Sequence, residues 1–372
     1  MLIKPASQIR VLVVDDSLLV REMIKDIIES DPEIVVAGEA ADGIEAVSKA
    51  VGLKPDIITM DIEMPVLSGL ESISRIMEKR PVPILVITSV SGVRTAFEAV
   101  SNGALDVIEK STINPENGAR LIRKVKMLAG VDVATHKMGI GRREAVNLPK
   151  VGTDHFVSDK NISKQREMLS SAQESNSLYK RGIVAIAAST GGPYALSVIL
   201  SKLPTDFPVP IVVAQHVAAG FTQGMAEWLD TCTNLSVTTP KNGEIITSGS
   251  VYLNPSEYSM KVTRQGEVVL SQKREEQLYH PSCDYLLHSV AESFGRYAVG
   301  VILSGMGHDG VLGMKAIQSV GGLTLAQDEK SSVVFGMNGL AVSQGAVKKV
   351  LELSMISDYL LFLFNYGRRA AQ

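Results

Sequence analysis

The chain has 372 residues, 45% of them hydrophobic and 21% charged, with a formal net charge of −3. That length fits two or three domains with cores of their own, and the near-neutral charge excludes any general electrostatic attraction to nucleic acid or to an anionic membrane. Two cysteines, Cys232 and Cys283, are too few for a disulfide framework and lack zinc-type spacing. The opening MLIKPASQIR lacks the apolar core of a signal peptide, and no apolar run approaches the length of a membrane span. A cytoplasmic protein that neither binds nucleic acid nor inserts into membrane is the expectation.

From Ile9 to about Ala129, short apolar runs (IRVLVVDD, IVVAGEA, PDIITMD, PILVITS, LDVIEK) alternate with amphipathic stretches of helical length. This is the signature of βαβ units and a parallel sheet. In a sheet of order 2-1-3-4-5 the first and third strands are neighbours, so Asp15 and Asp16, ending the first run, converge with Asp61, ending the third. Three like charges in one pocket need a cation, and hard carboxylate oxygens suit Mg²⁺. Thr88 and Lys110 close the fourth and fifth runs and add a hydroxyl and an ammonium beside the cluster. Helix caps and surface charges would account for any one of these residues, but poorly for five at consecutive strand ends.

Between roughly residues 130 and 181, which include His136 and His155, large apolar residues are sparse and no period persists. A polar linker is expected there, with a short helix near Ser163 to Ser171. Alternation then returns, with strands near 182–188, 209–215, 297–304 and 323–327 and helices near 191–203, 221–232, 282–294 and 309–320, predicting a second parallel-sheet domain. Within 244–272 the stretch MKVTRQGEVVLS alternates about Gln265-Gly266, which predicts a local antiparallel hairpin.

The segment GIVAIAASTGGP, residues 182–193, carries a buried-type run that stops at Ser-Thr-Gly-Gly. Ser189 therefore sits on a strand-to-helix turn at the carboxyl edge of a sheet, where ligands bind and helix N–H groups are unsatisfied. Ala187-x-Ser189-x-Gly191 approximates the G-x-S-x-G elbow, and both a phosphate-holding turn and a nucleophile are open at this point. A serine nucleophile needs a base and a group to orient that base. His216, ending IVVAQH, is the histidine that its strand places at the same edge, whereas His280 and His288 flank or ride a helix. The stretch VGVILSGMGHDG puts Asp309 after another strand, at the opening of a helix, with His308 beside it. A loop histidine and an N-cap aspartate are the ordinary roles for such residues; their coincidence with the serine turn favours a triad. Metal-assisted hydrolysis through His216, His308 and Asp309 is a second reading. A DNA-binding output is disfavoured by the lack of a basic recognition helix.

The strand-end set Asp15, Asp16, Asp61, Thr88 and Lys110 resembles the receiver domain of two-component response regulators over residues 8–129. That resemblance implies that Asp61 accepts a phosphoryl group, that Asp15 and Asp16, with Asp61, hold Mg²⁺, that Lys110 pairs with phosphoryl oxygens, and that Thr88 is the switch hydroxyl. The pieces AASTGGP, QHVAAGFT, PSCDYLLHSVA, LSGMGHDG and AQDEKSSVVFGM resemble the CheB family of chemotaxis protein-glutamate methylesterases, in which a receiver is joined to such a domain. The implied architecture is α/β throughout: a flavodoxin-like receiver (8–129), a linker (130–181) and a Rossmann-like catalytic domain (182–368), both domains doubly wound. Carried over by position, Ser189 is the nucleophile, His216 the general base and Asp309 its orienting carboxylate. The oxyanion contacts fall on the Met306 N–H and on Thr190, which follows the nucleophile. No esterase cofactor is implied. The implied substrates are γ-glutamyl methyl esters on methyl-accepting chemoreceptors, with deamidation of receptor glutamines beside it, and the implied phosphodonor is a chemotaxis histidine kinase. This sequence departs from the family at Ser111 (usually proline), Ala187 (usually glycine), Val217-Ala218 (usually Met-Pro) and the 254–260 loop.

Overall fold

The computed structural model describes residues 8–89, 92–114, 116, 118–133, 181–272 and 281–364. The expected linker helix near 163–171, together with His136, His155 and His280, lies outside the described residues. Among the described residues no helix is long and apolar enough to cross a membrane.

The first unit runs β1 (Ile9–Val14), α1 (Leu18–Glu29), β2 (Ile34–Ala40), α2 (Gly43–Leu53), β3 (Ile57–Met60), α3 (Gly69–Lys79), β4 (Ile84–Thr88), α4 (Val93–Ser101), β5 (Asp106–Glu109) and α5 (Gly118–Leu128). Its strands form a parallel sheet of order β2-β1-β3-β4-β5, the order assumed above. Residues Val11–Val14 and all of β3 and β4 are buried, because helices cover both faces of the sheet and leave no solvent side for polar alternation. Local chemistry starts the helices: the Asp42 carboxylate accepts the Ile44 and Glu45 N–H groups at α2, and Ser68 Oγ accepts the Glu71 N–H at α3.

The second unit contains β6 (Ile183–Ala188), α6 (Gly192–Leu200), β7 (Ile211–Gln215), α7 (Phe221–Cys232), β8 (Ser236–Thr238), β9 (Ser250–Leu253), β10 (Tyr258–Val262), β11 (Val268–Gln272), α8 (Cys283–Phe294), β12 (Ala298–Ile302), α9 (Val311–Ser319), β13 (Leu323–Gln327), α10 (Met337–Ser343), β14 (Lys349–Leu351) and α11 (Leu353–Leu363). Seven of these strands make a parallel sheet of order β14-β13-β12-β6-β7-β9-β8. The predicted hairpin is β10-β11, with Val262 opposite Val268 and Gly266 at φ +77 in its turn. The sequence reading did not find β8, β9, β14, α10 or α11. The edge strands β8 and β14 have three residues each, too few to show a period, and pairing with β9 and β13 sets them.

The two units touch through α4. Val93, Phe97 and Val100 join the apolar cluster built on α6 and α7. The Phe97 ring stacks on Trp228 at 5.8 Å and meets Phe221 edge-on at 6.4 Å, while Trp228 Nε1 donates to Ser101 Oγ over 3.3 Å. Such aromatic pairs add about 0.5–1.5 kcal/mol each beyond their buried area. From α5, the buried Lys124 ammonium pairs with Asp106 and donates to Thr190 Oγ1 over 3.2 Å, so a side chain of the first unit reaches the turn that carries Ser189.

Candidate active site

The strand β6 is the one from which the chain winds first towards β7 and later towards β12, which makes its carboxyl end the switch point of the sheet. Ala188 pairs with Gln215 and Ala187 with Ile302, so the residues that follow leave three neighbouring strands at one edge. The ladder continues past the strands: His216 N–H donates to Ala188 O at 3.0 Å, and Ser189 N–H to Ser304 O at 3.1 Å. Two glycines let the backbone close around the serine. Gly191 has φ +77, and a Cβ there would lie 2.6 Å from the Val333 side chain. At Gly305 a Cβ would lie 2.6 Å from Ser189 Cβ, so the loop carrying Met306 passes directly against the serine. Among the described residues the Met306 N–H has no acceptor.

His216 Nε2 lies 2.8 Å from Asp309 Oδ2. The same carboxylate accepts the Cys283 N–H at 2.7 Å, the Asp284 N–H at 2.9 Å and Ser282 Oγ at 3.2 Å, and so caps the N-terminus of α8. Burial pushes the Asp309 pKa up, but the His216 hydrogen bond, the imidazole charge and the two N–H donors outweigh it and hold the carboxyl below its usual range. Asp309 is thus both the helix cap and the partner of His216.

The structure does not gather His308, which is exposed. It brings Cys283 in its place, with Sγ 3.5 Å from His216 Nε2. Burial first, then the nearby Asp309 and Asp284 charges, push this thiol well above its ordinary pKa. Sequence reasoning also missed Gln215, whose amide Nε2 donates to Ser189 O at 2.7 Å and to His216 O at 3.1 Å and so ties the serine and histidine segments together. Its available signal was a polar residue closing the apolar run IVVAQ, where it is 3% exposed. Ser304 does similar work on the other side, its Oγ donating to Thr190 O at 2.8 Å and accepting the Val334 N–H at 2.9 Å.

In the first unit, Asp15 and Asp61 are buried and Asp16 is exposed, with one oxygen from each within 4.8 Å of the others. Lys110 Nζ lies 2.7 Å from Asp61 Oδ2 and 2.8 Å from Asp15 Oδ2. It opens a short turn over Lys110–Thr112, so serine at 111 still lets the ammonium reach the cluster. Burial raises the Asp61 pKa and the Asp15 charge adds to this, against the pull of Lys110. Three carboxylates facing one ammonium leave an anionic excess, which fits a divalent cation with oxygen ligands. Thr88 Oγ1 is buried at the end of β4 and has no hydrogen-bond partner among the described residues.

The family model described as CheB methylesterase matches residues 184–360, and that of the response regulator receiver domain matches 11–125. The protein-glutamate methylesterase/protein-glutamine glutaminase 3 of Paramagnetospirillum magneticum is 41% identical over 355 residues, covering 95% of this chain and 96% of its own. The corresponding protein of Nitrosospira multiformis is 40% identical over 360 residues, covering 95% and 96%. The crystal structure of the Thermotoga maritima CheB methylesterase catalytic domain is 36% identical and covers 49% of this chain and 98% of its own, at a TM-score of 0.48. With relatives of this identity aligned over nearly the whole of both chains, the chain belongs to the CheB family of response-regulator protein-glutamate methylesterases.

Proposed function

We propose that this protein hydrolyses γ-glutamyl methyl esters on chemoreceptors, and deamidates receptor glutamines, with Ser189 as nucleophile, His216 as base and Asp309 as its orienting carboxylate. The observation that carries the reading is the His216–Asp309 pair on the strand end beside Ser189, with the Gly305-Met306 backbone against the serine. Ser189 Oγ adds to the ester carbonyl carbon as its proton passes to His216. With Nε2 held by Asp309, Nδ1 is the ring nitrogen that would take that proton. The carbonyl electrons move to oxygen, where the Met306 N–H stabilises them; one such donor typically contributes ~3 kcal/mol. His216 then protonates departing methanol, and water repeats the sequence in reverse to release glutamate. Thr190 lines the same turn, and its hydroxyl is engaged by Lys124 in the arrangement described here.

Residues 8–129 act as a receiver that takes its phosphoryl group from a chemotaxis histidine kinase onto Asp61, in the cytoplasm. Asp15, Asp16 and Asp61 would hold Mg²⁺, which when bound neutralises phosphoryl oxygens during transfer. Lys110 pairs with the phosphoryl group, and the Thr88 hydroxyl turns towards it. The contacts from Phe97 and Lys124 hold the receiver against the 182–368 catalytic unit, and phosphorylation loosens them. Mass spectrometry of receptor methylation tests the whole reading, using wild type, Ser189→Ala and Asp61→Asn with and without a small-molecule phosphodonor. Demethylation should vanish in Ser189→Ala and lose its phosphodonor response in Asp61→Asn. Retention of more than a few per cent of wild-type hydrolysis by Ser189→Ala would remove Ser189 from the mechanism.

A further inference from the structure

The thiol of Cys283 has no task in ester hydrolysis. The backbone of this residue caps into Asp309, a bond that does not need the thiol, and the thiol itself donates to Ala214 O over 3.4 Å. Yet Sγ lies 3.5 Å from His216 Nε2, and His216, Cys283 and Asp309 each present one donor atom within 4.8 Å of the other two. A nitrogen, a sulfur and an oxygen at such separations are a ligand set of the zinc type. Bond lengths of about 2.0–2.3 Å place tetrahedral nitrogen and sulfur ligands about 3.5 Å apart, and nitrogen and oxygen about 3.3 Å apart. The sulfur–nitrogen spacing already fits, and the 2.8 Å His216–Asp309 contact needs to open by about half an ångström for these bond lengths.

We propose that His216 Nε2, Cys283 Sγ and Asp309 Oδ2 form a binding site for Zn²⁺ or a similar borderline-soft divalent ion, and that the ion switches the esterase off. On binding, three metal–ligand bonds form and the Cys283 S–H bond breaks, its proton leaving to solvent. The Nε2 proton moves to Nδ1, and water fills the fourth position. A metal ion removes the thiol proton even where burial disfavours its loss, and the thiolate and carboxylate together balance the two positive charges. The His216 side chain is 13% exposed and gives the ion its route in. The ion takes both groups of the base–carboxylate pair, so hydrolysis stops. That inhibitory consequence rests on the triad reading, while binding itself does not. The hard-oxygen cluster at Asp15, Asp16 and Asp61 has a different preference, so Mg²⁺ should not compete for this site.

The experiment uses the full-length protein with CoCl₂ as spectroscopic probe and ZnCl₂ as inhibitor, on wild type, Cys283→Ala and Cys283→Ser. Folding of each variant is checked by circular dichroism, and each is compared with its own metal-free rate. Wild type should show a thiolate-to-cobalt charge-transfer band and lose activity with Zn²⁺, recoverable with a chelator but not with excess Mg²⁺. Both variants should lack the band, and their zinc sensitivity should fall by at least the ~10–100-fold that changes around a metal's ligands cost. The absence of the band in wild type, or equal zinc sensitivity in wild type and a folded variant, overturns the proposal. The cobalt spectrum involves no turnover, so failure of the triad reading, seen as residual hydrolysis in Ser189→Ala, is distinguishable from failure of this one.

Discussion

The receiver's carboxylate cluster and the Ser189 turn occupy the same place in two similar sheets, yet their electrostatics are opposite. Asp15 and Asp61 end β1 and β3, and Ser189 and His216 end β6 and β7, each set at the switch point of its sheet. At the receiver end, two buried carboxylates share one lysine and Asp61 is pushed above the usual carboxylate range, chiefly by its burial. At the Ser189 end, one buried carboxylate, Asp309, accepts from His216, two backbone N–H groups and a hydroxyl and is held below that range. The lesson is that the fold supplies the location and the balance of donors to charges supplies the chemistry. A site with negative charge to spare can take up a cation, and so suits a switch. A site whose one carboxylate is already fully hydrogen-bonded is preorganised and suits repeated turnover.

Removing the proposed nucleophile breaks the comparison most severely. Ser189→Ala should lower receptor demethylation by as much as the ~10⁶ seen when a serine hydrolase loses a triad member, with an unchanged melting temperature. Asp309→Asn comes next: it keeps the side-chain size but favours the wrong histidine tautomer, at a cost on the order of 10⁴ in kcat. A kinetic assay giving a loss under tenfold would assign Asp309 to capping α8 alone. A smaller effect, and of opposite sign, is expected at the interface. Phe97→Ala removes the stack on Trp228, so phosphodonor-independent activity should rise, within the roughly 5–150-fold span of typical couplings. Unchanged basal activity would leave the α4 contact without an inhibitory role.

The smallest and sharpest contrast is in stability against pH. Asp309, with its folded pKa depressed, contributes stability that is present above the unfolded value of about 3.9 and is lost as pH falls through the folded value. Asp61, with its folded pKa raised, has the other sign: its ionisation costs stability as pH rises from about 3.9 through the folded value. Urea-unfolding midpoints in Mg²⁺-free buffer should therefore show Asp309→Asn less stable than wild type at neutral pH, with the deficit shrinking on acidification. Asp61→Asn should be more stable than wild type at neutral pH, with that gain shrinking on acidification. The same slope in both variants would refute the electrostatic distinction between Asp309 and Asp61.

Much of the site was legible because it follows from periodicity and position. A continuous apolar run that stops at a turn residue is a doubly covered strand reaching its carboxyl edge, and that logic alone placed Asp15, Asp61, Thr88, Lys110, Ser189 and His216 where functional groups converge. Tertiary structure decided which side chains meet there. It chose Cys283 over His308 as the third group around His216, gave Asp309 its four donors, set Gln215 between the serine and histidine segments, and carried Lys124 from the receiver to Thr190. These contacts join residues mostly 25 to 93 positions apart. Periodicity reports which face of an element is buried, because burial acts on each residue separately. Pairing between distant residues depends on how strands are ordered and helices docked, and a local pattern holds no record of that.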